Sequence, residues 1–385
     1  MLNKTLPFLR WNWLDHDRSR NTVETLLNLA NIKINGNQPW DIQVHHPGFF
    51  RRILTDTSIG LGESYIDGWW DCERLDEFIY RLLHTRLHER VRSWRDIPTL
   101  LKAKLFNLQH ARNAFYIGQY HYGISSNFYQ AILGQRMIYS CAYWKDATDL
   151  NTAQEAKMDL VCRKIGLEPG MHVLDIGCGW GGIARFATER YGVKVHGITI
   201  SKEQAKYAQH VCQGLPVTIE LKDYREIKGK YDRIYSIGMF EHVGCKNYHT
   251  YMKVIKKCLV EDGLCLLHTI GGNVSNSHGN PWVEKHIFPN SMLPSIAQIG
   301  SAIENRLVLE DWQNFGPDYD RTLLSWNNNL ERNWPFLHLQ YDERFYRMWR
   351  FYLLGFSGAF RARHIQLWQI VLSPKGRMRR YDAPR

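Results

Sequence analysis

The chain has 385 residues, enough for one large or two ordinary domains, and its apolar (44%) and charged (23%) fractions are those of a soluble globular protein. A formal charge of +11 points to an anionic partner, either nucleic acid or an anionic membrane surface. The eight cysteines show no CxxC pair or zinc spacing, which argues against a disulfide framework or a metal site, and no apolar run is long enough to span a bilayer.

Arg10, Asp15 and Asp17 interrupt any signal-peptide core, so a cytoplasmic, at most peripheral protein is expected. Asn21 is placed to cap a helix carrying Val23, Leu26, Leu27 and Ala30. Strand-like pieces at 32–34 and 41–44 follow, joined by Asn35-Gly36-Asn37. Pro47 opens a helix with Phe49, Phe50, Ile53 and Leu54 on one side and Arg51 and Arg52 nearby, and 75–83 reads as another helix. A helical piece over 100–108 carries Lys102 and Lys104. These segments read as a small N-terminal α+β domain over 1–100 and a linker over 101–115. The domain serves either packing and dimerisation or docking on a lipid surface through Phe49, Phe50 and the nearby basic residues.

From about Tyr116 strands and helices alternate. A helix over 151–165 stops at Gly166 and Pro169-Gly170; a central strand with Val173 and Leu174 ends at Asp175, and strands follow at 194–200, 217–221, 231–237 and 263–269. Helices are expected after the first strand to Arg190, from Ser201 as N-cap, and near 248–259. A long aromatic helical region precedes a last strand over 365–372. This alternation implies a Rossmann-like α/β fold over 116–385, with a doubly wound, mostly parallel sheet. Ligands in such sheets sit beyond the carboxyl ends of the strands.

The central strand runs into Asp175-Ile176-Gly177-Cys178-Gly179-Trp180-Gly181-Gly182 and then a helix. Glycines serve where backbone bends sharply or lies flush against a ligand, and the helix start offers unpaired N–H groups. A dinucleotide loop has similar grammar, but the charge of Asp175 just before the first glycine disfavours a phosphate and suits an ammonium group. Asp-x-Gly-x-Gly-x-Gly is the spacing of S-adenosylmethionine (SAM) loops. Alone, such a loop also fits a plain strand–turn–helix connection.

Other pieces narrow the reading. Gly-Leu-Gly-Glu-Ser-Tyr at 60–65, Tyr-Ser-Cys-Ala-Tyr-Trp at 139–144, the glycine loop, Gly-Met-Phe-Glu-His-Val-Gly at 238–244, His-Thr-Ile-Gly at 268–271, His-Ile-Phe-Pro-Asn at 286–290 and Gly-Ala-Phe-Arg-Ala-Arg at 358–363 together resemble the cyclopropane-fatty-acyl-phospholipid synthases over nearly the whole chain. The resemblance implies transfer of a methylene group from SAM to a cis double bond of an unsaturated phospholipid, by a homodimer on the inner face of the cell membrane. It implies bound bicarbonate as the base, held by the backbone at Cys141 and Ile270 and the side chains of Glu241, His268 and Tyr319. Cofactor contacts carry over as Tyr139 and Ser140; Asp175, Gly177, Cys178, Gly179, Trp180 and Gly181; Thr199, Ile200, Ser201 and Gln204; and Asp223, Tyr224 and Arg225. With Thr199 where many SAM folds place an acid, Gln204 is the expected ribose contact. Phe356 stands where some relatives have a cysteine, which removes a thiol nucleophile there. The aromatic run 345–360 lines an acyl channel or simply packs the core. Two other readings stay open: C-methylation giving a methyl-branched lipid or acting on another hydrophobic substrate, and a basic SAM-binding nucleic-acid module. The second has no recognisable nucleic-acid motif behind it, so no nucleic-acid partner is expected.

Overall fold

The computed structural model describes residues 16–87, 124–377 and 379–385. The first helix, α1 (His16–Asn28), turns Ser19, Val23 and Leu27 inward at helical spacing. Asn21 therefore lies inside α1 and is not its cap. The inward stripe simply begins earlier than the first large apolar residue. The strand-like pieces that follow reduce to an isolated Ile34–Ile42 bridge and a two-residue strand, β1 (Gln43–Val44), paired antiparallel with β2 (Trp70–Asp71). The loop between is organised by Asp41, whose carboxylate accepts from the backbone N–H of Lys33 (2.7 Å) and Gln38 (2.9 Å).

The second helix, α2 (Phe49–Ile66), begins after Gly48 and runs on through Gly60 and Gly62. It kinks at Thr57 (φ 47°), and the kink brings Gly60 against the Arg52 carbonyl, where a Cβ would sit 2.3 Å from that oxygen. Phe49 and Phe50 are buried, so they belong to the core and offer no apolar surface to a membrane. Arg52 is tied to Asp67 at 2.6 Å. The next helix, α3 (Leu75–His84), buries Leu75, Phe78 and Ile79. The helical piece expected at 100–108, with Lys102 and Lys104, and the linker 101–115 lie outside the described residues.

The remainder opens with α4 (Ser126–Leu133) and α5 (Leu150–Lys164), capped by Ser125 and Asp149. A seven-stranded sheet follows: β3 (His172–Ile176), β4 (Lys194–Thr199), β5 (Val217–Leu221), β6 (Tyr231–Ile237), β7 (Leu259–Gly272), β8 (Val308–Asn314) and β9 (Ile365–Ser373). Its order is β5-β4-β3-β6-β7-β9-β8, with β9 antiparallel to both of its neighbours and the strands from β5 to β7 parallel. The chain winds outward from β3 in both directions, so β3 and β6 flank the crevice where such sheets take ligands. Helices α6 (Gly182–Tyr191), α7 (Lys202–Val211) and α8 (Tyr248–Cys258) connect the parallel strands. Beyond β7 come α9 (Pro281–His286) and α10 (Ile296–Ile303), then two long helices, α11 (Gly316–Leu337) and α12 (Glu343–Arg361).

Apolar clusters cover both faces of the sheet. A further cluster joins the N-terminal residues Val23 to Leu87 with Phe128, Trp326, Trp349 and Phe351, so segment 16–87 and the long helices share one core. The fit is close: a Cβ on Gly358 of α12 would lie 2.4 Å from the Asp76 carbonyl of α3. Arg361 clasps the same junction, pairing with Asp76 (2.8 Å) and Asp320 (2.9 Å).

Candidate active site

The end of β3 delivers Asp175 and then three glycines at positive φ: Gly177 (90°), Gly179 (53°) and Gly181 (82°). Two of them are dictated by packing. A Cβ on Gly177 would sit 2.9 Å from Met239 Cβ, and one on Gly181 would press on Ala208 of α7 at 3.0 Å. Gly179 faces open space. The turn is anchored by the N–H groups of Gly177 and Cys178, which both donate to the Ile198 carbonyl (3.0 and 2.9 Å). Trp180 packs against Tyr129 with ring centroids 4.8 Å apart.

Asp175 is buried. Burial pushes its carboxyl up to about 8, against the opposing effects of the Tyr235 hydroxyl and the Lys157 charge. A cation placed beside it would restore the carboxylate. Ser140 is held from α5 by Gln154 Nε2, which donates to its carbonyl (2.9 Å), and by Lys157 Nζ, which donates to its Oγ (3.0 Å). At the end of β4 the Thr199 hydroxyl donates to Gln204 Oε1 (2.9 Å), leaving the Gln204 amide N–H groups for another acceptor. Ser201 Oγ caps α7 by accepting from Gln204 N. Asp223 accepts from Arg225 through both its backbone N–H (2.9 Å) and its guanidinium (2.8 Å).

The other end of the crevice holds a second set. Ile270 N–H donates to Glu241 Oε1 at 2.7 Å, while Glu241 Oε2 is buried with no partner. Burial raises the Glu241 carboxyl to about 7, against the Ile270 hydrogen bond. Across the antiparallel β7–β9 register His268 faces Gln369, whose Nε2 lies 3.3 Å from His268 Nδ1. With that amide donating, the ring proton resides on Nε2, which is itself buried and unpartnered. Burial, then the Lys157 and Lys164 charges, holds His268 well below its ordinary value, so the ring is neutral.

The Tyr139–Trp144 segment is pinned to the start of α11. Thr322 Oγ1 accepts from Ala142 N (3.1 Å) and Trp144 Nε1 (2.9 Å), and Asp318 accepts from Trp144 N (2.8 Å). That clamp places the segment beside the turn carrying Tyr319.

One cavity of about 260 Å³ joins the two sets. It is lined by Tyr139, Ser140, Asp175, Gly177, Cys178, Gly179 and Trp180; by Thr199, Ile200, Gln204, Asp223, Tyr224 and Arg225; and by Glu241, His268, Ile270 and Tyr319. Three expected residues stand behind the wall. Gly181 packs one helix on another, Ser201 is a cap, and Cys141, expected through its backbone, turns its thiol to the Ala142 carbonyl (3.1 Å). Burial drives that thiol well above its usual range, so it is no nucleophile. Phe356 lines the cavity directly. Sequence reasoning missed Gln369, although a glutamine in the wholly buried strand β9 is itself a signal. It also missed Gly279, Asn280 and Val283, which bring the start of α9 to the cavity, and Lys157. Among the described residues no cluster suited to a metal ion occurs.

Residues 109–370 match the family described as mycolic acid cyclopropane synthetase. Over 349 residues the chain is 50% identical to the cyclopropane-fatty-acyl-phospholipid synthase of Escherichia coli (strain K12), covering 90% of this chain and 91% of that protein. The solved structure of the cyclopropane synthase MmaA2 from Mycobacterium tuberculosis matches with a TM-score of 0.64 at 33% identity, over 67% of this chain and 98% of that one. The mycolic acid cyclopropane synthase CmaA1, complexed with SAH and CTAB, matches with a TM-score of 0.63 at 34% identity and the same coverage. With one SAM-type loop, one crevice and these relatives in hand, the chain belongs to the mycolic acid cyclopropane synthetase family.

Proposed function

We propose that the protein transfers a methylene group from SAM to the cis double bond of an unsaturated phospholipid acyl chain, with bicarbonate as the base. The observation that carries this reading is the single cavity that runs from the glycine loop to the unpartnered Glu241 Oε2 and His268 Nε2. Both groups fit the residues present. A buried carboxyl at Asp175 beside a loop of positive-φ glycines suits the ammonium of an amino-acid moiety. A buried acceptor and a buried donor in the lining of one cavity suit a small oxyacid anion. When bound, SAM supplies an electrophilic methyl on a sulfonium, and bicarbonate supplies the base that takes a proton from the transferred methyl as the ring closes.

The chain's own residues do the rest. Asp175 and Ser140 orient the amino-acid end, Gln204 faces the ribose, and Asp223, braced by Arg225, is a further cofactor contact. Glu241, fixed through Oε1 by the Ile270 N–H, offers Oε2 as acceptor for an acid O–H. His268, with its tautomer set by Gln369, offers Nε2–H to an oxygen. Phe288, Phe356 and Leu367 line the same cavity and keep water from the cationic centre that methyl transfer creates. Among the described residues no helix is long and apolar enough to cross a membrane. Access to lipid in this reading is by peripheral docking of a basic homodimer on an anionic surface, the charge of +11 supporting it. Segment 16–87, joined to α11 and α12 by a shared core, would carry the catalytic unit rigidly as it docks.

Incubation with SAM and vesicles of unsaturated phospholipid gives, on this reading, a lipid heavier by one methylene. No product with any unsaturated phospholipid rejects it.

A further inference from the structure

Lys157 is among the largest fully buried side chains of the described residues, 1% exposed, and it is not among the residues lining the cavity. Its hydrogen bond goes to Ser140 Oγ at 3.0 Å, and among the described residues no carboxylate forms an ion pair with it. Burying an ammonium without an ion-pair partner is costly, and burial accordingly pushes the Lys157 amine down to about 7, against the opposing charge of groups such as Asp175; an apolar chain of the same length would fill the space without that cost. One turn earlier on α5, Gln154 Nε2 donates to the Ser140 carbonyl. The helix thus grips both oxygens of one serine, and that serine lines the cavity beside Asp175. Hydrogen-bond directionality has a consequence. When the amine is protonated Oγ accepts from it, and the serine O–H is the group left to point into the cavity, polarised by the charge behind it; a carboxylate bound there favours that protonated form. Asp175 sits on the same side, and its carboxyl feels the Lys157 charge.

An amino-acid moiety is a zwitterion. Asp175 answers its ammonium, and the same end of the cavity then needs a donor for its carboxylate. We propose that Lys157 is a positioning residue for the carboxylate of the bound cofactor, acting through the Ser140 hydroxyl. The assignment rests on the SAM reading above. It makes Lys157–Ser140 and Asp175 the two halves of one recognition element, one for each charge of the zwitterion.

The test uses full-length protein and two probes measured by calorimetry: S-adenosylhomocysteine and its decarboxylated amine analogue. Wild type prefers the carboxylate-bearing probe. Lys157→Met is expected to weaken S-adenosylhomocysteine by roughly 10- to 100-fold, the range for loss of a charge-assisted hydrogen bond. It leaves the decarboxylated probe nearly unchanged, so the preference collapses. Ser140→Ala, with Lys157 intact, loses the same preference, and the double variant is no worse than either single one. A Lys157→Met protein that weakens both probes equally, or neither, overturns the assignment. If that variant does not fold, Ser140→Ala decides: retained discrimination overturns it. Wild type that binds neither probe overturns the SAM reading itself, which is a separate outcome.

Discussion

Glu241→Gln separates the chemistry of the site from its stability. In the native protein Oε1 accepts from Ile270 N at 2.7 Å, and a glutamine carbonyl would keep that bond. Oε2 has no partner and becomes an NH₂, so an acceptor turns into a donor at the position proposed to hold an acid O–H. Misplacing a base in this way costs on the order of 10- to 1,000-fold in turnover. Stability moves the other way. Burial lifts the Glu241 carboxyl from 4.5 to about 7, a displacement worth about 3 kcal/mol in favour of the neutral form. Between those pH values the folded state keeps a proton that the unfolded state releases, so wild-type stability falls as pH rises through that window. The glutamine carries no such proton. Cofactor-free Glu241→Gln should therefore melt above wild type at pH 8, and the gap should close toward pH 4.5. Turnover on vesicles and melting curves across pH measure the two effects. Wild-type turnover in the variant would refute the role assigned to Glu241, and a pH-independent gap in melting temperature would refute its burial as an ionisable group.

Removal of dissolved CO₂ and bicarbonate from the assay should reduce turnover, and adding bicarbonate back should restore it; Glu241→Gln should respond weakly to the same addition. Gln369→Leu removes the donor that sets the His268 tautomer. It should cost roughly tenfold in turnover, the worth of one hydrogen bond, while SAM affinity measured by calorimetry stays within twofold. Gly358→Ala forces a methyl to within 2.4 Å of the Asp76 carbonyl. It should destabilise the chain by about 1–3 kcal/mol, read as a lower melting temperature with the core between α3 and α12 loosened.

Much of the catalytic half was legible because local pattern and tertiary role agree there. Val173 to Ile176 are buried apolar residues around one acid, and the glycines that follow have positive φ. Strand β8 was not legible. Val308 to Asn314 mixes Glu310, Asp311 and Gln313 into a half-exposed edge strand, so neither alternation nor an apolar run marks it. The full length of α2 was not legible: Gly60 and Gly62 disfavour helix, yet Gly60 packs on the Arg52 carbonyl across the kink and Gly62 makes room for Trp282, a contact distant in sequence. Phe49 and Phe50 beside Arg51 look amphipathic until Trp70 is brought against Phe49 and Arg20 of α1 over Phe50. Convergence of Glu241 with His268 followed from their strand ends. The His268 partner depended on an antiparallel register, His268 opposite Gln369, that no local signal reveals. Lys157 has the same cause: nothing in a helical lysine indicates that its ammonium points inward to Ser140.

The most direct test of methylene transfer uses SAM bearing a CD₃ methyl, vesicles of a monounsaturated phospholipid and mass spectrometry of the extracted lipid. Ring closure requires one of the three deuterons to leave, so the account predicts a product that has gained one carbon and two deuteriums and has no double bond. A product retaining all three deuteriums, or one that still contains the alkene, would contradict it.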